Sequence, residues 1–120
     1  MSIRSPTERN THMVFNTGAA LLDAIVLAVV SCEEEGTYGY KITQDVKKIL
    51  DISESTLYPV LRRLQGEDCL KVYDKEFAGR NRRYYQVTER GKHKIILYRN
   101  EWYDYTSKIN KIFEEANYLE

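Results

Sequence analysis

At Gly66 the apolar residues change their spacing. Before it, Leu57, Val60, Leu61 and Leu64 recur at i, i+3, i+4 and i+7, which places one apolar stripe on a helix. After it the period is two: Leu70, Val72 and Asp74 alternate with Lys71, Tyr73 and Lys75, then Arg83, Tyr85 and Val87 with Arg82, Tyr84 and Gln86. The segment Phe77-Ala78-Gly79-Arg80-Asn81 separates the two runs, so a two-stranded hairpin with a Gly and Asn turn is predicted. Its tip carries Arg80, Asn81, Arg82 and Arg83. A helix that feeds directly into a basic ribbon narrows the folds open to the chain.

Two further helices precede this junction. Residues 17–32 place Leu21, Leu22, Ile25, Leu27, Ala28 and Val29 on nearly every side, as expected of a helix covered by several neighbours. Glu33-Glu34-Glu35-Gly36 ends it. A second, one-sided helix begins at Gly39 or Tyr40 and runs to Leu50, with Ile42, Val46, Ile49 and Leu50 on its stripe. In the third helix Ser53 or Ser55 can serve as N-cap, and Pro59 near its start forfeits one hydrogen bond at far less cost than a mid-helix proline. Ser55, Tyr58, Pro59 and Arg62 lie opposite the apolar stripe, with Thr56 and Arg63 at the edge.

Thr88 and Glu89 open a last helix, one as cap and the other as an acid at the positive end of the dipole. From Ile95 a seven-residue repeat follows, with Ile95, Trp102, Ile109 and Ala116 in one series and Tyr98, Tyr105, Ile112 and Leu119 in the other. A helix continuous over 88–118 spans about 45 Å, more than its own domain can cover. A second copy of the chain is therefore expected along it.

The order helix, helix, helix, ribbon describes a mainly α (α+β) fold, a winged helix-turn-helix over 15–88 with a C-terminal dimerisation helix over 89–120. Residues 1–14 are polar and read as a disordered or tag-like start without the apolar core of a secretory signal. With 42% hydrophobic and 30% charged residues the 120-residue chain is too apolar for a disordered one. Its longest apolar run, residues 19–30, contains Asp23 and is shorter than the roughly 20 residues of a membrane span. Cys32 and Cys69 form no CxxC or Cys/His cluster and read as free thiols in a reducing cytoplasm.

The net charge is zero, but residues 60–94 hold ten basic residues against five acidic ones. Positive potential is thus concentrated where the third helix and the hairpin lie. Short side chains at the start of that helix let its backbone approach a duplex, and Arg62 and Arg63 can pair with phosphates or a guanine edge. The tip arginines add salt-dependent affinity. His12 and His93 lack any nucleophile, carboxylate or metal-ligand spacing, so neither an enzyme nor a metal or cofactor site is expected. A winged helix used for protein contacts alone is the alternative, and the arginines argue against it.

The segments YGYKI at residues 38–42, STLYPVLRRL at 55–64 and GRNRRYYQVTERGK at 79–92 closely resemble the signatures of the PadR family of transcriptional regulators. The single C-terminal helix resembles the short subfamily. The resemblance implies a cytoplasmic prokaryotic homodimer that binds a double-stranded DNA operator, usually as a repressor released by a small ligand. It favours Tyr58 as a DNA contact over packing on the wing or the second helix. Tyr38 and Lys41 open the second helix, which crosses the DNA backbone in a winged helix-turn-helix, so they can reach phosphate beside Ser55, Thr56, Pro59, Arg62 and Arg63. Along the last helix, Tyr98, Trp102, Tyr105, Ile109 and Ile112 read either as dimer packing or as the wall of a pocket for a flat hydrophobic or aromatic effector. One departure stands out: the acidic pair followed by Gly before the wing is Glu67-Asp68-Cys69 here, which puts Cys69 at an expected left-handed position.

Overall fold

A computed structural model describes residues 18–116. The expectations for 1–14 and for Leu119 lie outside the described residues. The first helix, α1 (Gly18–Ser31), is followed by a two-residue strand, β1 (Thr37–Tyr38), and by α2 (Gly39–Lys47). Then come α3 (Glu54–Gly66), the wing strands β2 (Leu70–Phe77) and β3 (Arg80–Val87), and α4 (Glu89–Ala116).

The three short helices and the base of the wing enclose one core. Leu27 of α1, Ile42 of α2, Leu57, Leu61 and Leu64 of α3 and Leu70 of β2 are all essentially inaccessible to water. Each contributes about 1.5–3 kcal/mol of transfer free energy. The stripe read from the spacing of α3 is therefore its buried face, and Ser55, Thr56, Tyr58, Pro59 and Arg62 are exposed.

Ser53 is the N-cap of α3, its Oγ accepting from the Thr56 amide at 3.3 Å. Pro59 is then the sixth helical residue, and the bond it forfeits is the one to the Ser55 carbonyl. The far end of the helix closes with the Asp68 amide donating to Gln65 O and the Cys69 amide to Leu64 O. That pair of bonds defines a Schellman cap. Its left-handed residue is Asp68, at φ 63°, and not Cys69. Cys69 instead takes the following position, whose side chain packs back on the helix, and it is buried beside Leu64. A thiol suits that place better than glycine would.

The sheet has three antiparallel strands in the order β1-β3-β2, not the two of the predicted hairpin. β1 escapes periodicity because two residues carry no period. Its register pairs Thr37 with Tyr85 and Tyr38 with Tyr84. The wing turn is also tighter than expected: Phe77 pairs with Arg80, leaving Ala78 and Gly79 as the turn, at φ 54° and 78°. Two positive φ angles match the right-handed twist of the flanking strands. Asn81 therefore belongs to β3, opposite Glu76. α2 ends at Lys47, short of the expected Leu50, because Ile49 and Leu50 both donate back to the Val46 carbonyl in a closing turn.

Thr88 caps α4, its Oγ1 accepting from the Gly91 amide at 3.0 Å. The 28 residues of this helix extend about 42 Å. Its cover thins along its length: Tyr98 is buried, whereas Trp102, Tyr105, Ile112 and Phe113 are 39%, 45%, 62% and 72% exposed.

Candidate nucleic-acid interface

The outward face of α3 is built by its cap and its stripe together. Ser53 Oγ lies 3.0 Å from both Ser55 Oγ and Thr56 Oγ1, so three hydroxyls cluster at the helix start. With Leu57, Val60, Leu61 and Leu64 turned inward, Ser55, Tyr58, Pro59 and Arg62 share the opposite side. The Tyr58 ring leans over the first turn of α2. A side chain at Gly39 would meet that ring at 3.2–3.3 Å, so the glycine makes the close approach possible. Tyr38, Tyr40, Tyr58, Tyr85, Arg82 and Arg83 line a shallow recess of about 230 Å³ between α2, α3 and the wing. Burial pushes the Tyr85 hydroxyl above its ordinary pKa, with Arg83 beside it pulling the other way.

The structure divides the arginines and the one lysine assigned to DNA. Arg62, Arg80 and Arg83 are exposed, as is Asn81. Arg63 instead turns to α1, where its Nε donates to Asp23 Oδ2 at 3.3 Å and its Nη2 donates to Asp23 Oδ1. Asp23 is a buried charged residue of the core, 7% exposed, and this fork compensates it. The same hydrogen bonds raise the Arg63 pKa further above its ordinary value. Arg63 is thus a structural partner of α1, with its side chain 41% exposed. Lys41 donates to Asp45 at 3.0 Å and to Glu33 at 3.3 Å, and these carboxylates raise its pKa. Its charge is compensated within the chain.

Tyr38 packs on the wing. Its ring lies 6.2 Å from Phe77 and 5.6 Å edge-on to Tyr84, and the Arg82 guanidinium covers it at 4.6 Å. Tyr38 and Arg82 therefore belong to one stacked cluster on the outer face of the wing. Two bonds tie that wing to the loop after α1: Tyr73 Oη donates to Glu35 O, and Gln86 Nε2 donates to Glu34 O at 2.9 Å. Neither Tyr73 nor Gln86 was singled out by the sequence, whose only signal for them was their place on the outward strand positions.

The aromatic residues of α4 divide as well. An apolar groove of about 450 Å³ runs between α1 and α4, with Leu21, Ala24, Ile25 and Ala28 on one side, Ile95, Tyr98, Arg99 and Trp102 on the other, and Leu50 beside them. Burial, then the nearby Asp23 and Glu67, push the Tyr98 hydroxyl up to about 12. Trp102 and Tyr105 approach each other at 6.3 Å. Tyr105, Ile109 and Ile112 lie farther along the helix and do not line the groove. Among the described residues no helix is long and apolar enough to cross a membrane, and no cluster of His, Cys, Asp and Glu is placed to hold a metal.

The chain is similar to known proteins over most of its length. An uncharacterised protein of Lysinibacillus sphaericus is 31% identical over 98 residues, covering 78% of this chain and 88% of the relative. A crystal structure from Streptococcus mutans superposes with a TM-score of 0.76 at 36% identity, covering 90% of this chain and all of that one. The crystal structure of a PadR-like transcriptional regulator from Bacillus cereus superposes with a TM-score of 0.71 at 26% identity, covering 78% of this chain and 91% of that one. The model of the transcriptional regulator PadR-like family matches residues 26–96, the span from the middle of α1 through the wing into α4. With that match over more than half its length, the chain belongs to the PadR-like family of transcriptional regulators.

Proposed function

We propose that the chain acts as a homodimer that binds an operator duplex sequence-specifically, as a repressor released by a small flat hydrophobic ligand. The observation that carries the DNA-binding part is the face of α3, where Ser55, Thr56, Tyr58, Pro59 and Arg62 are all exposed beside the exposed Arg80, Asn81 and Arg83 of the wing. Short residues at the helix start let the backbone enter a major groove, Arg62 reaches a base edge or phosphate, and the wing cations follow the adjacent backbone.

The open apolar face of α4 supports the dimer, since Ile112 and Phe113 are 62% and 72% exposed. The groove supports the ligand: its volume falls within the roughly 300–1,000 Å³ of small-molecule sites, and Tyr98 and Trp102 offer rings for stacking. A ligand there adjoins α1 and α4 at once and can bias the separation of two recognition helices, which must match half-sites about 34 Å apart.

The test is a mobility-shift titration with promoter fragments, repeated at rising salt. Binding that weakens linearly in log salt is expected. No shift and no salt slope would leave the winged helix as a protein-contact module. Quenching of Trp102 fluorescence across a panel of planar hydrophobic compounds tests the groove, and a flat response would leave Trp102 as packing.

A further inference from the structure

We propose that Arg82 is a positioning residue, which locks the wing against the start of α2, rather than one of the arginines that touch DNA; this rests on the DNA-binding reading above. The register of the wing sets the arrangement. Lys75 pairs with Arg82 and Tyr73 with Tyr84, so these four side chains share the outer face with Phe77 and Arg80. β1 adds Tyr38 to that face, opposite Tyr84.

The Arg82 guanidinium carbon lies 4.6 Å from the centre of the Tyr38 ring and 5.5 Å from that of Phe77. Tyr38 immediately precedes α2 as its N-cap residue, and Phe77 is the last residue of β2 before the turn. One cation therefore joins the helix start to the wing tip. The stack continues inward, with Tyr38 edge-on to Tyr84 and Tyr84 stacked on Tyr73 at 5.6 Å, Lys75 Nζ lying 5.3 Å from the Tyr84 ring.

Two features separate Arg82 from its neighbours. Its Nε is buried and has no hydrogen-bond partner, so that donor is turned into the stack and away from any phosphate. Its side chain is half-buried, whereas Arg80, Asn81 and Arg83 are exposed. A guanidinium is planar and weakly hydrated and lies flat on rings, whereas an ammonium is a compact, strongly hydrated charge. The position calls for arginine by shape as well as charge.

The experiment measures DNA affinity against salt for the full-length chain and for Arg82→Gln, Arg82→Lys, Phe77→Ala and Arg83→Gln, using one duplex selected by the wild-type protein. For a clamp, Arg82→Gln and Arg82→Lys both weaken binding by about tenfold with the salt slope unchanged. Phe77→Ala, which removes no charge, does the same. Arg83→Gln lowers the slope by about 0.9, as loss of one phosphate contact requires. The proposal is overturned if Arg82→Gln lowers the slope by that amount, if Arg82→Lys restores full affinity, or if Phe77→Ala binds as the wild type does. A wild-type chain without any salt slope would remove the DNA-binding reading and this proposal together, an outcome distinct from a slope that changes only at Arg82.

Discussion

The core around α3 and the distal half of α4 contain similar apolar residues in opposite circumstances. Leu57, Leu61 and Leu64 are completely covered by α1, α2 and the wing, while Ile112 and Phe113 stand more than 60% exposed. Chain connectivity makes the difference. Short links bring three short helices back over one another, whereas α4 keeps α1 beside it only as far as Trp102 and leaves Ile112 and Phe113 largely exposed among the described residues. Hydrophobic pattern states that a face must be covered, and only topology states by what.

Substitutions can break this contrast. The largest effect is expected at Leu61→Ala, which opens a cavity in the covered core and costs about 2–5 kcal/mol in chemical denaturation. Arg63→Ala comes next: it strands the buried Asp23 carboxylate, but Arg63 is 41% exposed, so solvent screening limits the loss to about 1–2 kcal/mol. Asp23→Asn should lose less, because a neutral amide remains in place of a bare charge.

Smaller still is the alkaline effect of Tyr98. Its hydroxyl titrates near 12 in the folded chain against about 10 unfolded. The folded state thus holds its proton more tightly, and that contribution is complete below pH 10 and is lost as pH rises through 12. Tyr98→Phe should remove this part of the alkaline decline in melting temperature. The smallest effect on the fold is expected for Ile112→Ser with Phe113→Ser, within about 0.5 kcal/mol for the isolated monomer. Light scattering should then register the same pair as weakened association. A double variant that unfolds the monomer would erase the distinction between the two regions.

The sequence made the local parts legible. The stripe of α3, the cap at Thr88 and the basic wing all follow from spacing and from the chemistry of single residues, while the choice between Ser53 and Ser55 as cap of α3 needed the structure. Partners across space did not. Asp23 and Arg63 are 40 positions apart, and nothing in the period of either helix selects one for the other. Tyr38 and Arg82 meet only because β1 joins the wing, and β1 is too short to have a pattern. Ala78 at positive φ was equally hidden, since the hairpin register forces an alanine into a conformation it rarely prefers. The intrachain partners of charged residues were therefore invisible: an arginine on a helix edge or an outer strand face looks free until its carboxylate or ring is located.

The tight turn at Ala78 and Gly79 also limits how related wings can diverge in length. β2 and β3 pair residue for residue from Leu70 and Val87 to Phe77 and Arg80, with the aromatic stack on one face and Tyr85 and Val87 on the other. Loss of a single residue within β3 would exchange its two faces, exposing Tyr85 and driving Arg82 and Tyr84 inward. Lineages descended from such a wing can shorten or lengthen its strands in steps of two, and an odd step requires a bulge to restore the phase.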